Sequence, residues 1–391
     1  MQRSSPNQIL TTHTGSLPRP LALVDMLVAR NEHRLQDRAA CEAAIRAAVA
    51  DVVARQVEAG LTVVNDGEQS KIDFFNYRTA RLSGFAPVDP ASVGGPVGNP
   101  IAAEARDYPE FYSRWLAGGR AGAGADRQAP VLCCTGPIGW RDFSEVERDV
   151  ANLKAATTGA PVADVFMSAI SPATYAPPNL HYHSEEEYLV AIADALAREY
   201  KAIVDAGFIL QIDAPDMTTT YRMRDIGFDE YRATIARFVE LINHAVRGLP
   251  PDRIRVHVCW GADEAPHHRD PPLERIIDIL LKLAPHGMTI AGANGRHAHE
   301  WRVWESVKLP PGKVIVPGVI DSTTNIIEHP EAVAERIGRY AAVLGLENLI
   351  AGVDCGFDTV ARLGQVDTKI VWAKLRALAE GADIAARRLR R

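Results

Sequence analysis

The 391-residue sequence is poor in cysteine, in long apolar runs and in positive charge. Its five cysteines, Cys41, Cys133, Cys134, Cys259 and Cys355, are an odd and scattered set. Such a set does not make the disulfide frame of a small secreted domain, so reduced thiols are expected. No apolar run approaches the roughly 20 residues that a membrane-spanning helix needs. Residues 1–10 lack the apolar core of an export signal, and a soluble, cytoplasmic protein is expected. Lysine and arginine total 43 against 49 acidic residues, a formal net charge of -6. That balance leaves no basic face for nucleic acid, and the one dense basic run (Arg387, Arg388, Arg390, Arg391) reads as a solvated helix end. Neither nucleic acid nor a membrane is expected as a partner, while a homo-oligomer stays compatible with the composition.

What is present is ordinary globular material, 47% hydrophobic and 24% charged, at a length that closed α/β barrels with insertions commonly reach. Helical apolar spacing alternates with short apolar runs. Residues 41–59 place Ile45, Val49, Val52, Val53 and Val57 on one helical face, stop at Gly60 and lead into a run that ends near Glu68. Residues 187–206 repeat the plan with Leu189, Ile192, Leu196 and Ile203, stop at Gly207 and lead to Asp213. The same alternation runs through residues 276–292 and 332–355, the pattern of a parallel sheet with helical crossovers.

Nine strand candidates result, at residues 9–14, 61–67, 131–138, 165–171, 208–213, 255–260, 288–292, 314–320 and 349–355. Eight of them make a (β/α)8 TIM barrel. Residues 131–138 are set aside as an excursion because they follow the helix-poor, Gly/Pro-rich stretch 83–127. The expectation is a single barrel domain over residues 1–391 with an insertion at about 83–160, between the second and third barrel strands. The glycine-rich part of that insertion reads as a structureless lid or binding loop.

Residues at the carboxyl ends of barrel strands face one mouth and carry the chemistry. By that rule Ser16, Glu68, Asp213, His257, Cys259 and Cys355 surround one opening. His257 and Cys259 share a face because strand side chains alternate with a period of two. One imidazole and two thiolates suit Zn²⁺, and three protein ligands leave a fourth position for a reactant. The adjacent Cys133 and Cys134 point to opposite faces of their run, so core packing is their expected role, as it is for Cys41.

Seven segments occur in a fixed order across nearly the whole chain: Thr-His-Thr-Gly-Ser-Leu-Pro-Arg-Pro (12–20), Asn-Asp-Gly-Glu-Gln (65–69), Ser-Pro-Ala-Thr (171–174), Gln-Ile-Asp-Ala-Pro (211–215), His-Val-Cys (257–259), Pro-Gly-Val-Ile-Asp-Ser (317–322) and Asp-Cys-Gly (354–356). Together they resemble the catalytic half of cobalamin-independent methionine synthase. The resemblance implies a (β/α)8 barrel, a zinc ion and transfer of a methyl group to a small thiol, homocysteine first among them. It implies zinc ligands His257, Cys259 and Cys355. It also implies Glu68 and Asp213 as the catalytic acids that hold the substrate's amino group, and Gly15 with Ser16 as the turn that receives its carboxylate.

The sequence departs from that pattern in two places. The glutamate that commonly serves the family as a fourth ligand is replaced by Ala291, with His297 and His299 as the neighbours that would stand in for it. The resemblance is to the catalytic half alone, so the family's additional N-terminal half, which helps bind folate, is expected to be absent. The donor is thus left open between methyltetrahydrofolate, a methylated corrinoid protein and another alkyl donor. The chain also resembles the epoxyalkane:coenzyme M transferases, which implies alkyl or epoxide transfer to coenzyme M as the alternative. A sulfonate-bearing thiol would call for arginines where Glu68 and Asp213 stand, so the acids favour an aminothiol. If the donor is an amine it must be protonated to leave, and His13 and Asp216 are the candidates for that proton.

Overall fold

The computed structural model describes residues 1–391 apart from 90–92, 94–101, 118–130, 363 and 391. Within the described residues the strands are β1 (Val63–Val64), β2 (Leu82–Val88), β3 (Val131–Trp140), β4 (Asp164–Ile170), β5 (Ile209–Asp213), β6 (Ile254–Val258), β7 (Gly287–Ile290), β8 (Val314–Ile320) and β9 (Gly352–Val353). The helices are α1 (Leu21–Asn31), α2 (Arg38–Glu58), α3 (Phe74–Arg81), α4 (Ala102–Asp107), α5 (Pro109–Ala117), α6 (Ser144–Thr157) and α7 (Glu185–Asp205). They continue with α8 (Asp216–Met223), α9 (Phe228–Ala245), α10 (Ile277–Leu280), α11 (Val303–Ser306), α12 (Pro330–Leu344) and α13 (Thr368–Leu389).

Seven strands pair in parallel in the order β1-β4-β5-β6-β7-β8-β9. Residues 9–14 close the ring. The Thr12 N–H donates to the Ala351 carbonyl at 2.9 Å and Ala351 N–H to Leu10 at 2.8 Å, while Val63 N–H donates to Thr11 at 2.9 Å. The opening segment thus lies between β9 and β1 as the eighth stave of a TIM-like barrel. It is less regular than its neighbours because the Thr11 N–H is taken by the Thr62 hydroxyl at 2.7 Å instead of a main-chain carbonyl.

The helices form where caps and apolar spacing agree. α2 starts at Asp37, whose carboxylate accepts the Ala40 N–H at 2.9 Å, and buries Cys41, Ile45, Val49, Val52 and Val53. Gln56 is buried in place of the expected Val57, since its amide serves the barrel: it donates to the Asn65 carbonyl at 2.8 Å and accepts from the Asn65 N–H at 2.9 Å. α7 is capped by Ser184, whose hydroxyl accepts the Glu187 N–H at 3.1 Å, with Glu185, Glu186 and Glu187 in its first turn favoured by the helix dipole. Ile192, Leu196 and Ile203 are fully buried. Each such side chain contributes about 1.5–3 kcal/mol.

Residues 131–138 lie outside the barrel, where β3 pairs antiparallel with β2 from Leu82↔Trp140 to Val88↔Val131. Cys133 and Cys134 are fully buried there, and Cys41 is buried on α2. The stretch expected to be structureless holds α4 and α5, built from helix formers between the glycine clusters. Glu104 on α4 accepts from the Tyr112 hydroxyl at 2.5 Å and from the Arg222 guanidinium at 2.7 Å, which fastens the insertion to α8. The Gly/Pro motifs at 93–100 and 117–124 fall almost wholly outside the described residues. No described helix is long and apolar enough to cross a membrane.

One buried pair fastens the C-terminal end of α3, where it runs into β2, to α7. Arg81 lies 3.0 Å from Glu199, both side chains nearly solvent-free, and its guanidinium sits 3.8 Å above the Tyr77 ring. Removing one partner of such a pair strands the other charge and costs about 3–5 kcal/mol. Glu199→Ala is therefore expected to lower the unfolding free energy by about 3 kcal/mol in a denaturant titration, whereas Glu347→Ala, on an exposed loop, should leave it unchanged.

Candidate metal centre

β6 and β9 stand three places apart in the barrel order, yet their carboxyl ends meet across the mouth. His257 lies on β6 and points inward. Cys259, two residues on, keeps the same face, and Cys355 follows β9. The Cys259 and Cys355 sulfurs are 3.2 Å apart, the Cys355 sulfur is 3.6 Å from His257 Nε2, and the three candidate ligand atoms all lie within 4.8 Å of one another. All three residues are buried, and both cysteines are free thiols.

This donor set fits a tetrahedral metal ion. At metal–sulfur bonds of roughly 2.3 Å and metal–nitrogen bonds of roughly 2.0 Å, neighbouring ligand atoms sit roughly 3.3–3.8 Å apart, near the separations found. The electrostatics show three groups that share protons unequally. The Cys355 S–H donated to Cys259, together with the nearby His257 ring, holds the Cys259 thiol well below its usual range. The Gly261 N–H adds to this at 3.3 Å. Cys355 is pushed up in turn by its contact with the Cys259 sulfur and by burial. Burial opposes protonation of His257, but the Cys259 thiolate outweighs it and the imidazole is raised.

Asp354, which the sequence reading passed over, fixes Cys355 in place. One carboxylate oxygen accepts the Gly292 and Ala293 N–H groups, each at 2.8 Å, and the other accepts the Asn294 N–H at 2.8 Å and its side-chain amide at 2.9 Å. A side chain at Gly318 would put its Cβ 1.9 Å from that carboxylate, so the β8 glycine is a requirement of close approach. The signal in the sequence was an acidic residue directly before a cysteine at a strand end. Ala291 is buried at the end of β7 and brings no donor. His297 has both ring nitrogens engaged, with Glu300 at 2.9 Å and Asp270 at 3.1 Å, and His299 is exposed. Neither histidine joins the cluster.

A second group of polar residues occupies the same mouth. Glu68 follows β1 in a turn whose N–H groups are held by Asn65 at 2.7 Å (to Gly67) and Asp66 at 3.0 Å (to Glu68), and Glu68 itself has φ 56°. Its carboxylate packs on Gly15, where a Cβ would lie 2.4 Å from Glu68 Oε1. Gly15 has φ 128°, open only to glycine. Ser16 packs on the Cys355–Gly356 turn: a Cβ at Gly356 would meet its hydroxyl at 2.1 Å, and the Phe357 N–H donates to its carbonyl at 3.0 Å. Asp213 closes the group from β5. Burial, reinforced by the Glu68 charge, pushes its carboxyl up to about 7. Two carboxylates that repel each other in a buried corner favour a cation between them.

Neither Arg19, in the loop before α1, nor Arg78, on α3, neutralises this pair. Arg19 donates to the Glu68 main-chain carbonyl at 3.2 Å and pairs with Asp358 at 2.8 Å, and Arg78 donates to the carbonyls of Thr174 at 2.9 Å and Tyr175 at 3.0 Å. Lys71 is buried close by, and its ammonium donates to the Ser168 carbonyl at 2.7 Å. His13 lies deeper, bonded to Gln56 at 2.8 Å and accepting the Gly15 N–H at 3.3 Å, and burial drops its pKa to about 3. Asp216 accepts from the Thr174 hydroxyl and, at 3.2 Å, from Ser171, and burial lifts it to about 6. It lines a cavity of about 790 Å³ between α7, α8 and α9, which none of the three sulfur and nitrogen donors lines.

Comparison with known proteins places this arrangement. A family model described as the catalytic domain of cobalamin-independent synthase matches residues 9–97 and 181–379, leaving out most of the insertion. The methionine synthase of Saccharolobus islandicus (strain Y.G.57.14) is 25% identical over 385 residues, 97% of this chain and 96% of its own length. That of Thermococcus kodakarensis is 25% identical over 388 residues, 97% and 94% respectively. Among solved structures, the B12-independent methionine synthase of Shewanella sp. W3-18-1, determined in complex with selenomethionine, has the same fold, with a TM-score of 0.70, 22% identity and coverage of 98% of this chain and 99% of that one. The family match covers most of the chain and carries all three donors of the cluster, so this protein belongs to the cobalamin-independent synthase catalytic-domain family.

Proposed function

We propose that the protein is a zinc-dependent methyltransferase that methylates the thiol of homocysteine, giving methionine, with a methylated folate as donor. The observation that carries this reading is the meeting of His257, Cys259 and Cys355 at one mouth with the Glu68 and Asp213 carboxylates beside them. Curated relatives of nearly the same length bear the name methionine synthase. Of the donor classes left open by the sequence, the family's independence from cobalamin supports the folate type and gives none to a corrinoid protein.

In this reading His257, Cys259 and Cys355 hold the zinc. A free thiol has a pKa near 8.5 and is only a few per cent thiolate at neutral pH; zinc, when bound, keeps a coordinated thiol deprotonated. Glu68 and Asp213 hold the substrate ammonium, and the Gly15–Ser16 turn receives its carboxylate. Fixing both ends aims the sulfur, and such positioning supplies several kcal/mol of a displacement barrier. The sulfur forms its bond to the methyl carbon as the carbon–nitrogen bond of the donor breaks, and the electron pair left on nitrogen takes a proton. Asp216, with its raised carboxyl pKa, is better suited to that proton than His13, which is neutral and has both nitrogens engaged. The coenzyme M alternative finds no support here, since a sulfonate would face two carboxylates.

Incubation of the zinc-loaded protein with homocysteine and methyltetrahydrofolate is expected to yield methionine by mass spectrometry; a zinc-loaded protein that methylates no thiol would refute the proposal. Cys259→Ser and Cys355→Ser are expected to lose both metal and activity with an unchanged circular dichroism spectrum, and activity in a metal-free variant would contradict the mechanism. Glu68→Gln is expected to raise the homocysteine KM about tenfold with zinc content intact. Parallel loss of zinc would make Glu68 a ligand instead.

A further inference from the structure

Beneath the mouth lies a second inward-facing layer that no step above uses. On the paired strands β5 and β6, Asp213 stands in register with His257, and one side-chain repeat lower Gln211 stands in register with Arg255. Both lower residues are almost fully buried. A guanidinium in a barrel core is expensive to desolvate, and among the described residues no carboxylate lies within ion-pair distance of Arg255. Its donors are spent on neutral acceptors: Nε on Gln211 Oε1 at 2.8 Å, one terminal nitrogen on the Thr12 hydroxyl at 3.2 Å and the other on the His13 carbonyl at 3.0 Å. Its flat face lies 3.8 Å from the centre of the Phe166 ring.

The consequence falls on Gln211. Arginine only donates, so the Gln211 oxygen must face Arg255 and its NH2 must face the other way, because a flipped amide would set donor against donor. The amide nitrogen reaches Asp213 Oδ1 and the Thr14 carbonyl, each at 2.7 Å, and the Ser168 hydroxyl at 3.3 Å. Asp213 therefore has one oxygen tied from below, which turns the other toward the mouth. The bond from Arg255 to His13 acts on the opposite wall, where the His13 ring accepts the Gly15 N–H at 3.3 Å at the turn that carries Ser16.

We propose that Arg255 and Gln211 are positioning residues for the amino-acid end of the acceptor thiol: one buried cation sets the Asp213 carboxylate through Gln211 and the Gly15–Ser16 turn through His13. The inference rests on the assignment of Glu68 and Asp213 to the substrate ammonium made above. It does not involve the metal ligands, so selectivity for the aminothiol separates from metal binding.

The test uses the full-length, zinc-loaded protein and calorimetric Kd values for homocysteine and for 2-mercaptoethanol, a thiol without the amino-acid end, together with zinc content. Arg255→Met is expected to weaken homocysteine about tenfold or more while 2-mercaptoethanol binding and zinc stoichiometry stay as in the wild type, and Arg255→Lys is expected to fall between. Gln211→Glu keeps an acceptor for Arg255 but removes the N–H from Asp213, and is expected to show the same selective loss; it decides the question by the same criteria if Arg255→Met does not fold. Unchanged homocysteine affinity, or equal weakening of both thiols with loss of zinc, would overturn the proposal and leave Arg255 a core residue only. A wild-type protein that binds the two thiols equally would instead refute the ammonium site itself.

Discussion

Everything at the mouth depends on barrel closure bringing three soft donors, drawn from positions up to 98 residues apart, within 4.8 Å in a place sheltered from water. Two thiols and an imidazole at that range compete for protons, and Cys259, Cys355 and His257 are all displaced from their ordinary titration as a result. A divalent cation held by these three residues would remove the competition by taking the place of the shared protons. The same closure seats the opening segment between β9 and β1 through Thr12 and Val63, and that segment ends in the Gly15–Ser16 turn. Ser16 packs against the turn after Cys355, so the last ring joint and that donor are mechanically linked.

Around this centre the charged groups are arranged in layers. The carboxylates of Glu68 and Asp213 stand at the mouth with no arginine paired to them, and burial with the Glu68 charge raises Asp213 although the buried Lys71 ammonium lies in the field of both. Asp354 is withdrawn from the site by four N–H donors and acts on Cys355 through the backbone. Arg255 and Gln211 form the floor. Asp354 is tied by four hydrogen bonds, whereas Asp213 takes one from Gln211.

Much of this was legible in the sequence. Helical spacing with a glycine stop located α2 and α7, and alternation with apolar runs gave the parallel barrel, with residues 131–138 rightly left outside it. The His-x-Cys spacing placed both side chains on one face because a strand repeats every two residues. The errors follow from interactions that cross between elements. Gln56 and Glu199 are buried on faces assigned to apolar neighbours because each has a partner distant in the chain, Asn65 and Arg81 respectively. The insertion was read as structureless because glycine clusters flank its helices, while the Glu104–Arg222 contact that docks α4 leaves no local mark.

The sequence by itself determined the period of each element, the residue types at the strand ends and hence the class of chemistry available, since these follow from local backbone geometry and the donor atoms of single side chains. Tertiary structure decided which of those residues meet. It withdrew His297 by giving both its nitrogens to carboxylates, committed Asp354 to a loop, freed Glu68 and Asp213 from the arginines and set Arg255 beneath them. Those outcomes depend on hydrogen-bond partners brought together by ring closure, and a partner far along the chain imposes no periodicity on the residues around it.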